Sequence, residues 1–262
     1  MERLTAKQNE KIKHAVSVRD SARVRRETGL FFLEGARLCA DAAVNNVRIF
    51  RAFVTDTAME KYSVQVSEIL SKAEEGYVIS ADVAAKLSDT QSTQGIFCLC
   101  RTQENTAVAQ QINPQGKYIF LENVQDPSNL GAVCRTAEAI GVDGMIVCGG
   151  CDIYNPKALR ASMGSALHLT IMTCADAVGF IRQLNEKGML TLASTPDSGA
   201  LPITEINMTS GVVCVVGNEG NGVTQETMSA CKHRVTIPML GRAESLNAST
   251  AAAILIWEMM RK

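Results

Sequence analysis

Short apolar runs alternate with helical segments through the second half of this chain, and that alternation limits the possible folds more than any other feature. The apolar runs, each long enough for one buried strand, are YIFLE, GMIVCGG, MLTLAST, GVVCVVG and HRVTIPM. The helical stretches between and after them are 129–140, 175–186, 223–231 and 248–260. Strands and helices in this order form a mostly parallel sheet with helices on both faces. Because ligands bind beyond the carboxyl ends of such strands, we expect the functional residues in the loops that follow them.

The first half has the same α/β character with less regular spacing. Its predicted strands are FFLEG, RAFVTD, YVIS and GIFCLC, and its predicted helices are 1–28, 36–45, 58–75 and 81–87. The polar stretch 102–117 contains Pro114 and Gly116 and is the best position for a domain boundary. We therefore predict an α/β fold in two parts, with residues 1–105 as a small domain, 106–116 as a linker and 117–262 as a larger domain.

Composition favours a packed protein of balanced charge. Of 262 residues, 46% are hydrophobic and 20% charged, which excludes wholesale disorder, and the formal net charge of -1 does not by itself indicate a nucleic-acid partner. Residues 1–26 are different, since they contain eight Lys or Arg against three acidic residues. This segment is either an arm that binds a polyanion or a solvated amphipathic helix, and charge alone favours the helix.

Cysteine usage and hydropathy indicate a cytoplasmic protein. Most of the nine cysteines lie in apolar runs, and the chain starts with charged residues instead of a signal-peptide hydrophobic segment, so we expect reduced thiols. No apolar stretch is long enough to span a bilayer. The three histidines are scattered and match no zinc or iron spacing. We therefore expect neither a membrane nor a metal among its partners.

Two of the loops after predicted strands contain unusual polar residues. In the first, Asp126 to Asn129 forms a turn that can cap a helix, and Arg135 lies on that helix six residues after Asn129. Taken alone, Asn129 is equally well explained as a helix cap, and Arg135 is equally well explained as a surface residue. The second loop, GNEGNGV, fits neither GxGxxG nor a P-loop, and its Glu219 would repel a pyrophosphate. It suits a ligand with a neutral or cationic part, unless it is only a glycine-rich turn.

The third loop joins the strand end at Ile237 to a long apolar helix. Ser245, Asn247 and Ser249 can all cap this helix. One cap is sufficient, so at least one of these side chains is free for another partner. In a separate stretch, NPKALRASMGSALHL, Lys157 and Arg160 can share a helix face that either holds a phosphate backbone or is simply solvated.

Together the loops resemble the SpoU (TrmH) family of SPOUT methyltransferases. The matching motifs, in order and spacing, are NLGAVCRTAEAIG, GNEGNGV and IPMLGRAESLNASTAAAI. The basic start through Lys13 and the run GLFFLEGARL are similar to the ribosomal-protein-like RNA-binding domain that often precedes it. The resemblance implies methyl transfer from S-adenosylmethionine to a ribose 2′-hydroxyl of RNA, with ribosomal RNA favoured by analogy. It also implies a homodimer and a C-terminal trefoil knot in the SPOUT domain.

The same resemblance implies roles for individual residues. Cofactor binding is implied for Gly217, Asn218, Ile237, Met239 and Leu246. Catalysis is implied for Arg135, with Asn129, Glu219, Ser245 and Asn247 positioning this arginine, the ribose and its phosphate. A guanidinium has a pKa above about 12 and is a poor base. Arg135 therefore either helps to remove the proton directly or binds the adjacent phosphate and lowers the pKa of the hydroxyl, so that water or phosphate accepts the proton.

Three other functions compete with this hypothesis. A transfer-RNA 2′-O-methyltransferase has the same motifs, so the RNA substrate needs a direct test. A non-catalytic RNA-binding relative would be favoured by changes at Arg135, Asn129 or the SLN loop, and the sequence has none. A Rossmann-type oxidoreductase is disfavoured by the glycine spacing and by Glu219.

We expect deletion of residues 1–105 to leave cofactor binding intact and to abolish efficient RNA methylation, because RNA binding is assigned to this segment. Calorimetry with S-adenosylmethionine and methylation assays on RNA measure the two activities separately. Full RNA methylation by the truncated protein would contradict the assignment of RNA binding to residues 1–105.

Overall fold

The computed structural model describes residues 1–103 and 109–261, except for the side chain of residue 110. These residues form two compact units. The first unit contains Met1–Gln103 and Tyr154–Leu167, and the second contains Glu104–Ile153 and His168–Lys262. Residues 106–108 of the predicted linker lie outside the described residues. Ala109–Gln111 form a 3₁₀ turn, and Ala109 and Ile112 are buried in the apolar core of the second unit.

The first unit is a five-stranded mixed sheet with helices on both faces. Its strands are β1 (Glu2–Leu4), β2 (Leu30–Glu34), β3 (Ile49–Thr55), β4 (Glu75–Ile79) and β5 (Ile96–Arg101), in the order β1-β4-β3-β5-β2. Strand β4 is parallel to β1 and β3, whereas β5 is antiparallel to β2 and β3. Its helices are α1 (Glu10–Asp20), α2 (Ala22–Thr28), α3 (Ala36–Val44), α4 (Asp56–Lys61), α5 (Ser63–Lys72), α6 (Ala81–Leu87) and, from the later segment, α8 (Pro156–Ala161).

Strand β2 illustrates why this sheet needs helices on both faces. Phe31 and Leu33 pack in one apolar cluster with residues of α3 and α5. Leu30 and Phe32 pack in a second cluster with residues of α1 and α6. Because successive side chains of a strand point to opposite faces, the continuous run LFFL supplies both clusters.

The prediction of one basic helix over residues 1–28 is wrong. The segment forms β1, α1 and α2, and the side chains of Asn9 and Ser21 cap the two helices. Six of its basic side chains form ion pairs, which are Arg3–Asp56, Lys7–Asp82, Lys11–Glu2, Lys13–Glu10, Arg19–Asp20 and Arg23–Glu27. The guanidinium of Arg25 is buried and donates to two carbonyls at the end of α1. Much of the positive charge counted in the sequence is therefore neutralised within the unit.

The predicted helix over 58–75 is also divided in the structure. Helix α4 ends and α5 begins at Tyr62, whose backbone is not helical (φ -122°, ψ 40°), and Glu75 already belongs to β4. The helix predicted over 81–87 has the bounds of α6.

The second unit is built on a seven-stranded parallel sheet. Its strands are β6 (Lys117–Glu122), β7 (Gly144–Cys148), β8 (Ile171–Cys174), β9 (Leu190–Ser194), β10 (Leu201–Pro202), β11 (Val212–Val216) and β12 (His233–Thr236). They lie in the order β10-β12-β9-β11-β6-β7-β8, and all pairs are parallel. Its helices are α7 (Pro127–Ile140), α9 (Ala177–Glu186), α10 (Gln225–Ala230) and α11 (Ala248–Met260).

Helices cover both faces of this sheet, as the alternating pattern predicts. On one face, Phe120, Ile146 and Val213 pack with Phe180 and other residues of α9. Helices α7 and α11 pack against each other, and α11 contacts β11 and β6. The mixed α/β fold with a mostly parallel sheet is thus confirmed. Strands β8 and β10 escaped prediction because they are short, half-exposed edge strands without a continuous apolar run.

The segment Tyr154–Leu167 belongs to the first unit, although the sequence boundaries place it in the domain 117–262. The ring of Tyr154 stacks on Phe31 with 4.6 Å between the centroids. Leu159, on α8, is buried in the cluster that contains Phe31 and Leu33. Packing therefore joins residues that are more than a hundred positions apart in sequence, which no local pattern reveals.

All nine cysteines are free thiols, and six of them are buried. Cys148 and Cys151 have the Cys-x-x-Cys spacing of redox and metal sites. Within the described residues, no group of three or more His, Cys, Asp or Glu side chains is placed to share a metal ion. The helices of residues 1–103 and 109–261 are all too short or too polar to cross a membrane.

We expect Leu159→Ala to destabilise the first unit by about 2–5 kcal/mol, because it leaves a cavity in that unit's core. Hydrogen exchange of the full-length protein measures the effect by segment. Amides of β2 and α3 should lose protection, whereas those of β11 should keep it.

Val64→Ala is the matched control, since Val64 is 75% exposed on α5. It should change protection little in either unit. Unchanged protection of β2 and α3 in Leu159→Ala would show that Tyr154–Leu167 does not stabilise the first unit.

Candidate functional site

An open groove lies at the carboxyl ends of β9, β11 and β12, with about 560 Å³ of space that is partly open to solvent. Its walls are formed by residues from three loops and the start of α11, namely Ser194, Thr195, Pro196, Val216, Gly217, Asn218, Gly222, Thr236, Ile237, Met239, Ser245, Leu246, Ala248 and Ala251. The five residues predicted to bind the cofactor, Gly217, Asn218, Ile237, Met239 and Leu246, all line it. The groove forms where these strands end because the sheet order places β9 between β11 and β12.

The loop after β11 is closed on itself by backbone contacts. Asn218 and Gly222 exchange N–H···O hydrogen bonds of 3.0 and 2.9 Å. A Cβ atom on Gly217 would collide with the backbone of Gly222 and Val223, so this close approach requires glycine. The side-chain oxygen of Asn218 accepts hydrogen bonds from the N–H groups of Gly220 and Asn221. The loop therefore presents a rigid backbone edge to the groove.

Three loops are joined by a chain of hydrogen bonds between predicted catalytic residues. Nδ2 of Asn129 donates to Oε1 of Glu219 at 2.9 Å, and Nδ2 of Asn247 donates to Oδ1 of Asn129 at 3.0 Å. We call this arrangement the Asn247–Asn129–Glu219 chain. Asn129, at its centre, is 7% exposed. The structure thus brings together side chains from the start of α7, the loop after β11 and the start of α11.

Helix capping explains why both asparagines are available for this chain. The carboxylate of Asp126 accepts from the N–H of Ser128 and caps α7, so Asn129 is not the cap and its amide is free to bridge. Oδ1 of Asn247 caps α11 by accepting from the N–H groups of Ser249 and Thr250, which leaves its Nδ2 for Asn129. Asn247 is therefore the cap of α11 and also reaches Asn129, whereas Ser245 does not cap this helix and lines the groove.

Glu219 accepts several hydrogen bonds and has no cationic partner within the part of the chain that the structure describes. Besides Asn129, the backbone N–H groups of Gln125 and Asp126 donate to its two oxygens, each at 3.0 Å. Partial burial acts to raise the pKa of the Glu219 carboxyl, but the hydrogen bonds from Asn129, Gln125 and Asp126 outweigh burial and hold the pKa below its usual value. The carboxylate is therefore ionised at neutral pH and holds the loop before α7.

The other predicted residues are placed differently. Ser245 is exposed and lines the groove. Arg135 is exposed on α7 and makes no hydrogen bond or ion pair with a described residue, so it is not joined to the Asn247–Asn129–Glu219 chain. Lys157 and Arg160 lie on α8 in the first unit, where Nη2 of Arg160 donates to Asp89 at 2.8 Å.

Two features of this region were not predicted from the sequence. The groove includes Ser194, Thr195 and Pro196 after β9, and the change from apolar to polar residues at the end of MLTLAST is a signal that locates them. The second feature is Glu122, a buried acid at the end of β6. Its signal is a charged residue at the end of an otherwise apolar strand.

Comparison with known proteins gives a consistent result. Residues 116–257 match the model of the SpoU rRNA Methylase family, and residues 9–98 match that of the MRM3-like substrate binding domain. The chain is 28% identical to the 23S rRNA (guanosine(2553)-2′-O)-methyltransferase of Bacillus subtilis over 99% of both chains. It is 26% identical to an uncharacterised tRNA/rRNA methyltransferase of Synechocystis, covering 99% of this chain and 93% of the relative.

A solved structure extends this likeness to three dimensions. The AdoMet-bound rRNA methyltransferase of Sinorhizobium meliloti superposes with a TM-score of 0.88 at 25% identity, covering 99% of this chain and 97% of that one.

We expect Glu219→Gln to lower the free energy of unfolding of the second unit by about 1 kcal/mol at about pH 7, because an amide cannot accept on both sides from Gln125, Asp126 and Asn129. A carboxyl with a lower pKa in the folded than in the unfolded protein stabilises the fold fully at pH values above its pKa in the unfolded protein. This stabilisation disappears as the pH falls through its pKa in the folded protein. The ordinary pKa of a glutamate carboxyl is 4.5. The difference in the free energy of unfolding between wild type and Glu219→Gln should therefore shrink as the pH falls below this value. Fluorescence of Trp257, in α11, measures unfolding of this unit.

Glu205→Gln is the matched control, because Glu205 is an exposed acid of the same unit without a hydrogen bond to a described residue. It should leave the unfolding curve unchanged. A difference for Glu219→Gln that does not vary with pH would contradict the role given to the ionised carboxylate.

Proposed function

Because this chain belongs to the SpoU rRNA methylase family, we propose that it transfers a methyl group from S-adenosylmethionine to a ribose 2′-hydroxyl of ribosomal RNA. The observation that carries this proposal is the groove at the ends of β9, β11 and β12, which gathers the five residues expected to bind the cofactor. The Bacillus subtilis relative is named for this reaction on 23S rRNA, which favours ribosomal over transfer RNA. The intact motif residues argue against a non-catalytic relative.

The chemistry of the groove suits this cofactor. Its described lining contains no charged side chain, and Ile237, Leu246 and Ala251 give it apolar walls. An anionic pyrophosphate would find no cation there, whereas a nucleoside with a cationic sulfonium finds apolar surface and exposed backbone groups. When bound, S-adenosylmethionine supplies the activated methyl group. The protein then has to align the ribose oxygen with it and remove the hydroxyl proton.

We assign the RNA side of the reaction to Arg135. Its exposed guanidinium has no described partner and is available for the phosphate next to the target ribose. A bound guanidinium stabilises negative charge on the ribose oxygen and lowers the pKa of the 2′-hydroxyl, so that water or the phosphate accepts the proton. The Asn247–Asn129–Glu219 chain holds the start of α7, and Ser245 places its hydroxyl in the groove.

We further propose the assembly that the family resemblance implies. The trefoil knot is proposed from membership of the family, with the loops after β11 and β12 as part of the chain that would form it. A homodimer is proposed from membership of the family, and the exposed indole of Trp257 on α11 is a candidate contact in it. RNA contact is assigned to the first unit, which matches a substrate-binding domain. A ribosomal-RNA substrate implies a cytoplasmic location.

We expect the purified protein to bind S-adenosylmethionine and Leu246→Arg to weaken this binding on the order of 100-fold, because a charge would occupy the apolar groove. Arg135→Ala should bind the cofactor normally and lose methyl transfer by about 100-fold or more. Calorimetry measures binding, and transfer of tritiated methyl groups to unmodified ribosomal and transfer RNA measures activity and identifies the substrate.

Two matched variants serve as controls. Leu240→Arg adds the same charge to a fully exposed leucine of the same loop, and Arg182→Ala removes an exposed arginine of α9. Both should behave like the wild type. If the protein does not bind the cofactor, either alone or with RNA, the enzymatic function is rejected. If transfer RNA is labelled in preference to ribosomal RNA, transfer RNA is the substrate.

A further inference from the structure

Glu122 is the only buried acidic side chain among residues 1–103 and 109–261, with 3% of its surface exposed. It ends β6, and on the same face of that strand Tyr118 and Phe120 pack in the apolar cluster under α9. Burying a carboxylate costs free energy unless its oxygens are well paired. Glu122 makes no ion pair with a described residue, so hydrogen bonds must compensate for its burial.

Those hydrogen bonds all come from the start of α10. Oε2 of Glu122 accepts from the N–H of Thr224 at 2.8 Å. Oε1 accepts from the hydroxyl of Thr224 at 2.8 Å and from that of Thr227 at 2.5 Å. Thr224 is also the N-cap of α10, since its hydroxyl accepts from the N–H of Thr227. Glu122 therefore holds the start of α10 at the end of β6.

The position of Thr224 also sets one end of the loop 217–223. The other end follows β11, whose Val216 pairs with Leu121 of β6. In between, Nδ2 of Asn218 donates to the carbonyl of Asn123, the residue after Glu122. The loop that supplies Gly217, Asn218 and Gly222 to the groove is thus attached to the end of β6 on both sides.

We propose that Glu122 is a positioning residue for the cofactor groove, which holds the loop 217–223 in the shape that binds S-adenosylmethionine. This inference rests on the proposed function. Glu122 does not line the groove and acts only through Thr224 and Thr227. The role requires correctly placed hydrogen-bonding groups and not a negative charge.

That requirement separates two substitutions. In Glu122→Gln, the amide oxygen can accept from the N–H of Thr224, and the amide nitrogen can donate to a threonine hydroxyl, because hydroxyls also accept. In Glu122→Ala, all three hydrogen bonds are lost. We expect Glu122→Ala to raise the Kd and the KM for S-adenosylmethionine about 10-fold, with kcat at saturating cofactor within about 3-fold of wild type. Glu122→Gln should stay within about 2-fold of wild type in all three constants.

Thr191→Val is the control for a loss of stability alone. The hydroxyl of Thr191 is buried in the same sheet and bridges Asn185 and Lys232, away from the groove. This variant should lower the melting temperature and leave the Kd unchanged. If Glu122→Ala does not fold, Thr227→Val removes one hydrogen bond of the set and should raise the Kd about 3-fold.

The outcomes are distinguishable by calorimetry with S-adenosylmethionine on the full-length protein. A wild-type protein that does not bind the cofactor rejects the proposed function. Wild-type affinity in folded Glu122→Ala, or in Thr227→Val where that variant is used instead, rejects the positioning role. Equal loss of affinity for S-adenosylmethionine in Glu122→Gln and Glu122→Ala also overturns the proposal. The negative charge of Glu122, and not its hydrogen bonds, would then determine cofactor binding.

Discussion

The functional region depends on one buried amide. Asn129 donates to Glu219 and accepts from Asn247, residues 90 and 118 positions away in sequence. A side chain of this length that donates and accepts at the same time is an asparagine, because an aspartate would repel Glu219 and an aliphatic residue would leave both partners unpaired. This single contact joins the three loops whose motifs define the family, so the start of α7, the loop after β11 and the start of α11 keep their relative positions.

The two acids of this region are held in the same way. Glu219 and Glu122 are stabilised by N–H and hydroxyl donors instead of by lysine or arginine. The described lining of the groove contains no cation that would attract a pyrophosphate. The exposed guanidinium of Arg135 forms no ion pair with a described acid, which supports the proposal that it contacts the RNA substrate. A groove lining without a charged side chain suits the proposed transfer of a methyl group from a sulfonium cofactor to RNA.

The boundary between the two units is set by apolar packing and does not follow the order of residues in the chain. The family model spans residues 116–257, yet Tyr154–Leu167 packs with the first unit through Phe31 and Leu159. Deletion of residues 1–105 would therefore expose this apolar segment as well as remove the part that matches a substrate binding domain. The basic N-terminal segment shows a related effect, because ion pairs such as Arg3–Asp56 and Lys7–Asp82 offset charges that a count along the sequence treats as free.

Local patterns in the sequence determined the α/β class, five of the seven parallel strands of the second unit, the helix 81–87 and the long closing helix, because these depend on alternation, apolar runs and caps within a few residues. The residues predicted to bind the cofactor were selected by their motifs, and their meeting in one groove followed from the order β9 between β11 and β12. Only the tertiary structure decided the neutralised N-terminus, the placement of Tyr154–Leu167, the Asn247–Asn129–Glu219 chain and the hydrogen bonds of Glu122. Each of these is a contact between residues far apart in the chain, and hydrogen bonds and apolar packing at such separations leave no periodic trace in the sequence.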